Sequence, residues 1–289
     1  MTPRQLPTRE PSILITGCSS GIGYSTAHAL HLRGYRVFAS ARNPADVTTL
    51  KEEGLEALQL DLNSSQSISA AVAEVLERTN GQLFALFNNG AFGQPGAVED
   101  LTTEVLRQQF ETNLFGTHEL TRQIIPVMRR QGGGRIIQNS SLLGLVALPF
   151  RGAYNASKYA LEGLSDTLRL ELKGSGIDLI LIEPGPITSQ FRHNALQLFL
   201  QNIDTDNSPF TATYRQLLNR LNHIGPTAPF TLPPEAVVEK VIQALESPSP
   251  RARYRVTLPT TLFATARRLL PTSWLDRLLL AVSRSENRH

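Results

Sequence analysis

Residues 12–23 read SILITGCSSGIG, an apolar run that breaks into a turn with glycines at 17, 21 and 23. The TGxxxGxG spacing of residues 16–23 suits a backbone that turns sharply and lets a pyrophosphate come close. The helical pattern that follows, YSTAHALHLRG, would present its positive N-terminal end to that anion. A glycine octad alone also fits a tight β–α turn without a ligand. The strand before it and the amphipathic helix after it favour the nucleotide reading.

Outward from this turn, the pattern repeats. YRVFASA (35–41), LEALQLDL (55–62), LFALFNN (83–89), GRIIQNSS (134–141) and IDLILIEPG (177–185) are further candidate strands, and RYRVTLP (253–259) is a seventh. They are apolar nearly throughout, as strands of a parallel sheet covered on both faces are. Helical patterns lie between them, after Gly21 and at 44–53, 64–79, 102–131, 152–174 and 234–246; the third opens on a serine cap and stops at a glycine. This order predicts an α/β fold, a single Rossmann-type domain over 1–289 with a doubly wound parallel sheet of about seven strands and helices on both faces. Within it, 10–187 would be the cofactor-binding and catalytic core. Residues 188–233 are an insertion suited to a substrate lid, and 260–289 a helical extension. Pro126 inside the 102–131 pattern is expected to kink that helix.

A chain of 289 residues with 41% hydrophobic content can bury a sizeable core. A net charge of +3 gives no reason to expect nucleic acid as a partner. The charge is uneven, however: from Arg251 onward stand eight arginines and two carboxylates. One cysteine, Cys18, excludes an internal disulfide and is read as a small packing residue. The opening MTPRQLPTREP lacks a secretory apolar core, and no run approaches the ~18 residues of a spanning helix, so a cytoplasmic protein is expected. The six histidines form no metal-ligand pattern, and no metal is expected.

The nucleotide can be narrowed. The second strand ends Ala39-Ser40-Ala41-Arg42 with no carboxylate before Asp46, whereas an acidic residue there would select the free ribose of NAD. Arg42 is placed to neutralise a 2′-phosphate, which favours NADP; it is otherwise a solvated strand-end arginine. Asp61 is placed either to accept from an adenine amino group or to cap the following helix.

GAYNASKYALEG (152–163) sets Tyr154 and Lys158 one helical turn apart, on one face. YxxxK alone is usually a surface aromatic and a solvated lysine. After a nucleotide-binding half, the pair gains a chemical meaning. A phenol of pKa ~10 is a poor base at neutral pH. A neighbouring cation can lower that pKa by roughly 1–3 units. Ser141 would stabilise a developing alkoxide, and Tyr154 would pass the proton.

TGCSSGIG, FNNGAF, the Asn113 of FETNLFG, NSSLLG, YNASK and EPGPI stand in the order characteristic of the short-chain dehydrogenase/reductase family, which the chain resembles strongly over about 10–190 and more weakly to about 260. It looks most like the NADP-dependent aldehyde-reductase branch, with hydroxysteroid and retinol dehydrogenases as neighbours. The resemblance implies Tyr154 as general acid/base and Lys158 as the residue that lowers its pKa and holds the nicotinamide ribose. It implies Ser141 as the residue that polarises the substrate carbonyl and Asn113 as holder of a relay water. It places the cofactor against Gly17, Ser19, Ser20, Gly21, Ile22, Gly23, Arg42, Asp61, Leu62 and Asn88, and the nicotinamide beside Pro184, Gly185, Ile187 and Thr188. The usual NNAG appears as Asn88-Asn89-Gly90-Ala91, which puts the geometry of that loop in question. Asn88 and Asn89 are expected to bond neighbouring backbone.

Together these residues point to an oxidoreductase that interconverts an apolar aldehyde or ketone and its alcohol with NADP(H). The apolar positions of the 188–233 insertion, Phe191 foremost, would meet the substrate. A hydroxysteroid- or retinol-type alcohol dehydrogenase is the alternative within the class, and a non-catalytic NADP sensor the alternative outside it. In this family the helices at 102–131 and 152–174 commonly pair between subunits, which implies a homodimer or homotetramer. The arginine-rich tail is expected to pack over the site or on another subunit, with membrane contact the lesser expectation.

Overall fold

Strands with no polar face need cover on both sides, and the computed structural model, which describes residues 11–286, provides it. Seven strands form one parallel sheet in the order β3-β2-β1-β4-β5-β6-β7. They are β1 (Ser12–Ile15), β2 (Arg36–Ala41), β3 (Glu56–Gln59), β4 (Ala85–Asn88), β5 (Gly134–Asn139), β6 (Ile177–Glu183) and β7 (Arg253–Arg255). Successive side chains of a strand point to opposite faces. Ile13 and Ile15 accordingly join α1 (Gly21–Leu32) and α9 (Glu235–Glu246) through Ala27, Leu30, Val237 and Val241. Leu14, between them, joins α3 (Ser65–Arg78) and α5 (Thr117–Arg130) on the other face through Ile68, Val72, Leu120 and Ile124.

Local signals set the helix starts. Asn43 accepts from the Ala45 amide ahead of α2 (Pro44–Glu52), whose first residue is proline. Ser64 accepts from the Ser67 amide and caps α3, while Thr102 caps α4 (Thr103–Phe110). The expected long helix at 102–131 is divided, but not at Pro126. A π turn at Glu111–Gly116 separates α4 from α5, and α5 runs as α-helix past Pro126 to Arg130. Such one-turn π segments commonly re-aim a side chain at a functional site, and this one carries Asn113.

The two segments surplus to the sheet form a roof over the carboxyl ends of the strands. The insertion folds into α7 (Phe191–Asn202) and α8 (Thr211–Asn222), which share a small core of Ala97, Leu196, Phe199, Tyr214 and Leu217. The carboxyl-terminal extension forms α10 (Leu258–Leu269) and α11 (Thr272–Glu286). Its Phe263, Leu275 and Leu279 pack on Leu142, Leu143, Val146 and Leu148 beside Tyr154. The amino-terminal stretch read as lacking a leader, and the last three residues of the tail, lie outside the described residues.

The edge strand is fastened by charge. Arg253 meets Glu162, Asp166 and Glu183, with the Glu183 contact at 2.5 Å, and Arg255 approaches Glu183 at 3.4 Å. Glu183 is wholly buried, so removing its main partner strands a carboxylate in the interior. Arg253→Met should lower stability by about 3 kcal/mol, seen as a lower urea midpoint at unchanged m-value. A midpoint within error of the wild type would show the network to be incidental.

Candidate active site

The glycine turn and the loop after β4 approach each other too closely for a side chain. Gly17 has a φ of +71°, and a Cβ there would lie 2.8 Å from the Gly90 Cα. A Cβ on Gly23 would meet the Asn89 amide nitrogen at 2.6 Å and collide with the Gly17 carbonyl. Thr16 closes the junction: its hydroxyl accepts from the amides of Asn89 (2.9 Å) and Gly90 (2.8 Å). The Asn89 side chain donates to the carbonyls of Thr16 and Gly17 at 3.0 and 3.1 Å. The Gly90-Ala91 exchange leaves this loop in ordinary geometry, since neither residue has a positive φ. Asn89 bonds backbone as expected, whereas Asn88 donates to the Thr121 hydroxyl at 2.9 Å and so ties β4 to α5.

Residues of the helix that carries Tyr154 and Lys158 join the same network. The Nζ of Lys158, in α6 (Gly152–Glu171), donates to the Asn139 carbonyl at 2.7 Å, and the Asn139 side chain donates to Asn89 at 2.9 Å. Lys158 is thus linked to the glycine turn through two residues, Asn139 and Asn89. Asn139 and Thr16 were not singled out from the sequence. Strand-end polarity is too common a feature to mark them, although NSS and TGC contain both.

Tyr154 and Lys158 lie on one face, with Nζ 5.7 Å from the phenol ring centroid. Ser141 lies against the phenol, and its Oγ accepts from the Leu143 amide at 3.1 Å. The expected lowering of the phenol's pKa by Lys158 is not what this geometry gives. Burial pushes the Tyr154 hydroxyl up to about 12, with Ser141 opposing weakly. Burial also brings the Lys158 ammonium down to about 8, while the charge of Glu162, one turn further on, raises it. The reason is that both groups have lost water, and desolvation disfavours the charged form of each.

Asn113 is buried within reach of this centre, but its side chain is fully engaged. Its Oδ1 accepts from the Phe92 amide at 3.1 Å, and its Nδ2 donates to the Phe92 carbonyl and the Ser157 hydroxyl at 2.9 and 3.1 Å. The amide group therefore positions the loop after β4 and ties it to α6. Phe191, from the first turn of α7, packs edge-to-face on Tyr154 with centroids 5.2 Å apart. Gly93 makes room for it, since a Cβ there would lie 2.6 Å from the Phe191 ring.

The remaining predicted residues surround the turn. Ser20 begins α1 without a side-chain bond to the helix, so the first-turn amides at Gly21, Ile22 and Gly23 have no side-chain acceptor, with Ser19 exposed beside them. Leu62 flanks Gly90. Asp61 does not cap α3, a task that falls to Ser64; its Oδ1 accepts from the Asn63 amide at 2.9 Å. Arg42 is exposed at the end of β2, its carbonyl accepting from Gln59 at 3.1 Å. Its guanidinium has no ion-pair partner among the described residues. The Pro184 carbonyl accepts from the Leu142 amide at 2.7 Å, Gly185 sits against Thr257, and Ile187 and Thr188 pair with Leu232. Cys18 is buried, its thiol pushed to about 12 by burial, as a packing residue would be. Uncapped helix amides beside a cradle without side chains have the chemistry of a pyrophosphate site.

A family description, short chain dehydrogenase, matches residues 11–197. The chain belongs to the short-chain dehydrogenase/reductase family. It is 43% identical over 270 residues to the uncharacterized oxidoreductase YbbO of Escherichia coli strain K12, covering 93% of this chain and 94% of that one. It is 31% identical to the NADPH-dependent 3-dehydrocapnine reductase of Ornithobacterium rhinotracheale, covering 92% and 94%. A short-chain dehydrogenase structure from Streptomyces avermitilis superposes with a TM-score of 0.73 at 26% identity, covering 98% of each chain. The protein is therefore an oxidoreductase built on an NAD(P)-binding Rossmann fold.

The lysine's environment can be titrated directly. Because Glu162 raises the Lys158 pKa, Glu162→Gln should move the lysine's titration below 8, read by NMR of 13C-lysine-labelled protein. An unmoved or rising midpoint would contradict the coupling.

Proposed function

We propose that the protein is an NADPH-dependent reductase of apolar aldehydes or ketones, interconverting them with their alcohols. The observation that carries this is the convergence of Ser141, Tyr154, Lys158 and Phe191 beside the cradle of Gly17 and Gly23. A dinucleotide bound in that cradle would supply the hydride. Ser141 would donate to the substrate oxygen, and Tyr154 would give it a proton as charge builds there. A phenol held protonated by burial suits the acid role, which is the reductive direction. Lys158, still largely cationic at neutral pH, would stabilise the phenolate left behind and hold the ribose. A pure nucleotide sensor would have no use for that set.

Arg42 supports the choice of NADPH: it is exposed, uncommitted, and placed where no carboxylate competes for the ribose. The NADPH dependence named for the 3-dehydrocapnine reductase points the same way. Phe191 supports an apolar substrate, since its ring, 37% exposed, faces Tyr154 from the lid. Asp61 keeps its second carboxylate oxygen available for an adenine amino group. Exposed Phe115 and Leu164, on the π turn and α6, suit the subunit pairing expected of these helices.

Two measurements test the reading. Tyr154→Phe should lower kcat for carbonyl reduction by roughly 10²–10⁴-fold while NADPH titrated against the protein binds as before; near-normal turnover would remove the tyrosine from the mechanism. Arg42→Ala should cost NADPH roughly 10–100-fold in kcat/KM, the worth of a charged hydrogen bond, and leave NADH almost unaffected. Equal losses for both nucleotides would place the 2′-phosphate elsewhere. A panel of aliphatic, aromatic, retinoid and steroid carbonyls followed by NADPH absorbance supplies the substrate for both.

A further inference from the structure

The helical hairpin α10–α11 turns apolar side chains in two directions. Inward, Phe263, Leu275 and Leu279 cover the loop beside Tyr154. Outward, Leu258, Leu262 and Leu269 follow at helical spacing on α10, and Trp274 and Leu278 stand one turn apart on α11. These are large exposures: Leu269 is 75% and Trp274 63% accessible. Isolated exposed leucines need no explanation, but five large apolar side chains exposed on two consecutive helices mark a candidate contact surface.

The charges around this face indicate its partner. Arg268, Arg277 and Arg284 are exposed on the same two helices, with no ion-pair partner among the described residues. Asp276 is the exposed carboxylate of the segment, because Glu286 is buried between Arg151 and Arg220. Leucines and a tryptophan flanked by this excess of arginines suit the boundary between anionic headgroups and acyl chains. Among the described residues no helix is long and apolar enough to cross a membrane, so contact would be in the plane of the surface. A cleft of about 450 Å³ separates α11 from α8, with Leu280, Ser283 and Arg284 on one side and Thr213 and Gln216 on the other.

We propose that the outer face of α10–α11 docks the protein on an anionic lipid bilayer. Docking there sets the roof of the candidate site against the lipid. Delivery of an apolar carbonyl from the bilayer to Tyr154 rests on the function proposed above; the docking does not.

Trp274 is the only tryptophan of the chain, so its fluorescence reports on this face alone. Full-length protein mixed with phosphatidylglycerol/phosphatidylcholine vesicles should sediment with them and show a blue-shifted emission. Pure phosphatidylcholine vesicles should give neither, and binding should weaken as salt screens the arginines. Arg268→Gln with Arg277→Gln should reduce vesicle affinity about tenfold or more, and Trp274→Ser with Leu278→Ser should abolish it. Wild-type protein that stays in the supernatant with unshifted emission would overturn the proposal. So would light scattering that shows a wild-type oligomer dissolved by Trp274→Ser with Leu278→Ser, since the face would then belong to a second copy. Neither readout requires turnover, so a failed catalytic assignment leaves this test intact.

Discussion

The site is organised by a buried ammonium with a backbone acceptor. Lys158, 3% exposed, donates to the Asn139 carbonyl at 2.7 Å, and that residue's side chain reaches Asn89, which grips the glycine turn. A charge out of water needs every partner it can find. Satisfying this one fixes α6 against the ends of β5 and β4, and through them against β1. The distance between the candidate proton donor and the nucleotide cradle is therefore set by hydrogen bonds that run from Lys158 through Asn139 and Asn89 to Gly17. That is how a site assembled from a helix, three strand ends and a lid keeps one geometry.

Burial also decides the protonation states, and here intuition from spacing alone goes astray. Two ionisable groups one turn apart suggest mutual stabilisation of a phenolate and an ammonium. In the folded chain both are desolvated first, and desolvation disfavours each charged form separately: the phenol rises to about 12 and the ammonium falls to about 8. What Lys158 offers is stabilisation of charge once it forms, a role that acts on the transition state and not on the resting acid. Glu162 sustains the lysine's charge from behind, and Arg253 in turn favours the ionised form of Glu162, so the edge strand β7 is joined electrostatically to the candidate centre.

Much of this was legible in the sequence. Seven runs apolar at nearly every position could be covered only as a parallel sheet, and the glycine spacing named the turn that opens it. Tyr154, Lys158 and Ser141 were marked by their order along the chain. Thr16 and Asn139 were harder, because the bonds from Thr16 to Gly90 and from Asn139 to Asn89 span 74 and 50 residues and polar strand ends look alike until the sheet brings them together. The bonds of the Asn113 side chain to Phe92 and Ser157 were not legible either. The π turn that carries this residue departs from the helix by a single hydrogen-bond shift, which no periodicity reveals, so the visible Pro126 was credited with the break.

The insertion and the tail were recognisable only as surplus, since neither completes the sheet. Their placement follows from two different forces. Apolar contacts seat Phe191 on Tyr154 and Leu279 on the loop after Ser141, and these could have formed in several registers. Charge narrows the choice: Glu286, at the far end of α11, is buried against Arg151 at the start of α6 and Arg220 on α8, the latter at 3.1 Å. Burial and the neighbouring Arg151 push the Arg220 guanidinium down to about 9, so two arginines crowd one carboxylate and each depends on it. A carboxylate in that position ties α8, the start of α6 and the tail at a single point.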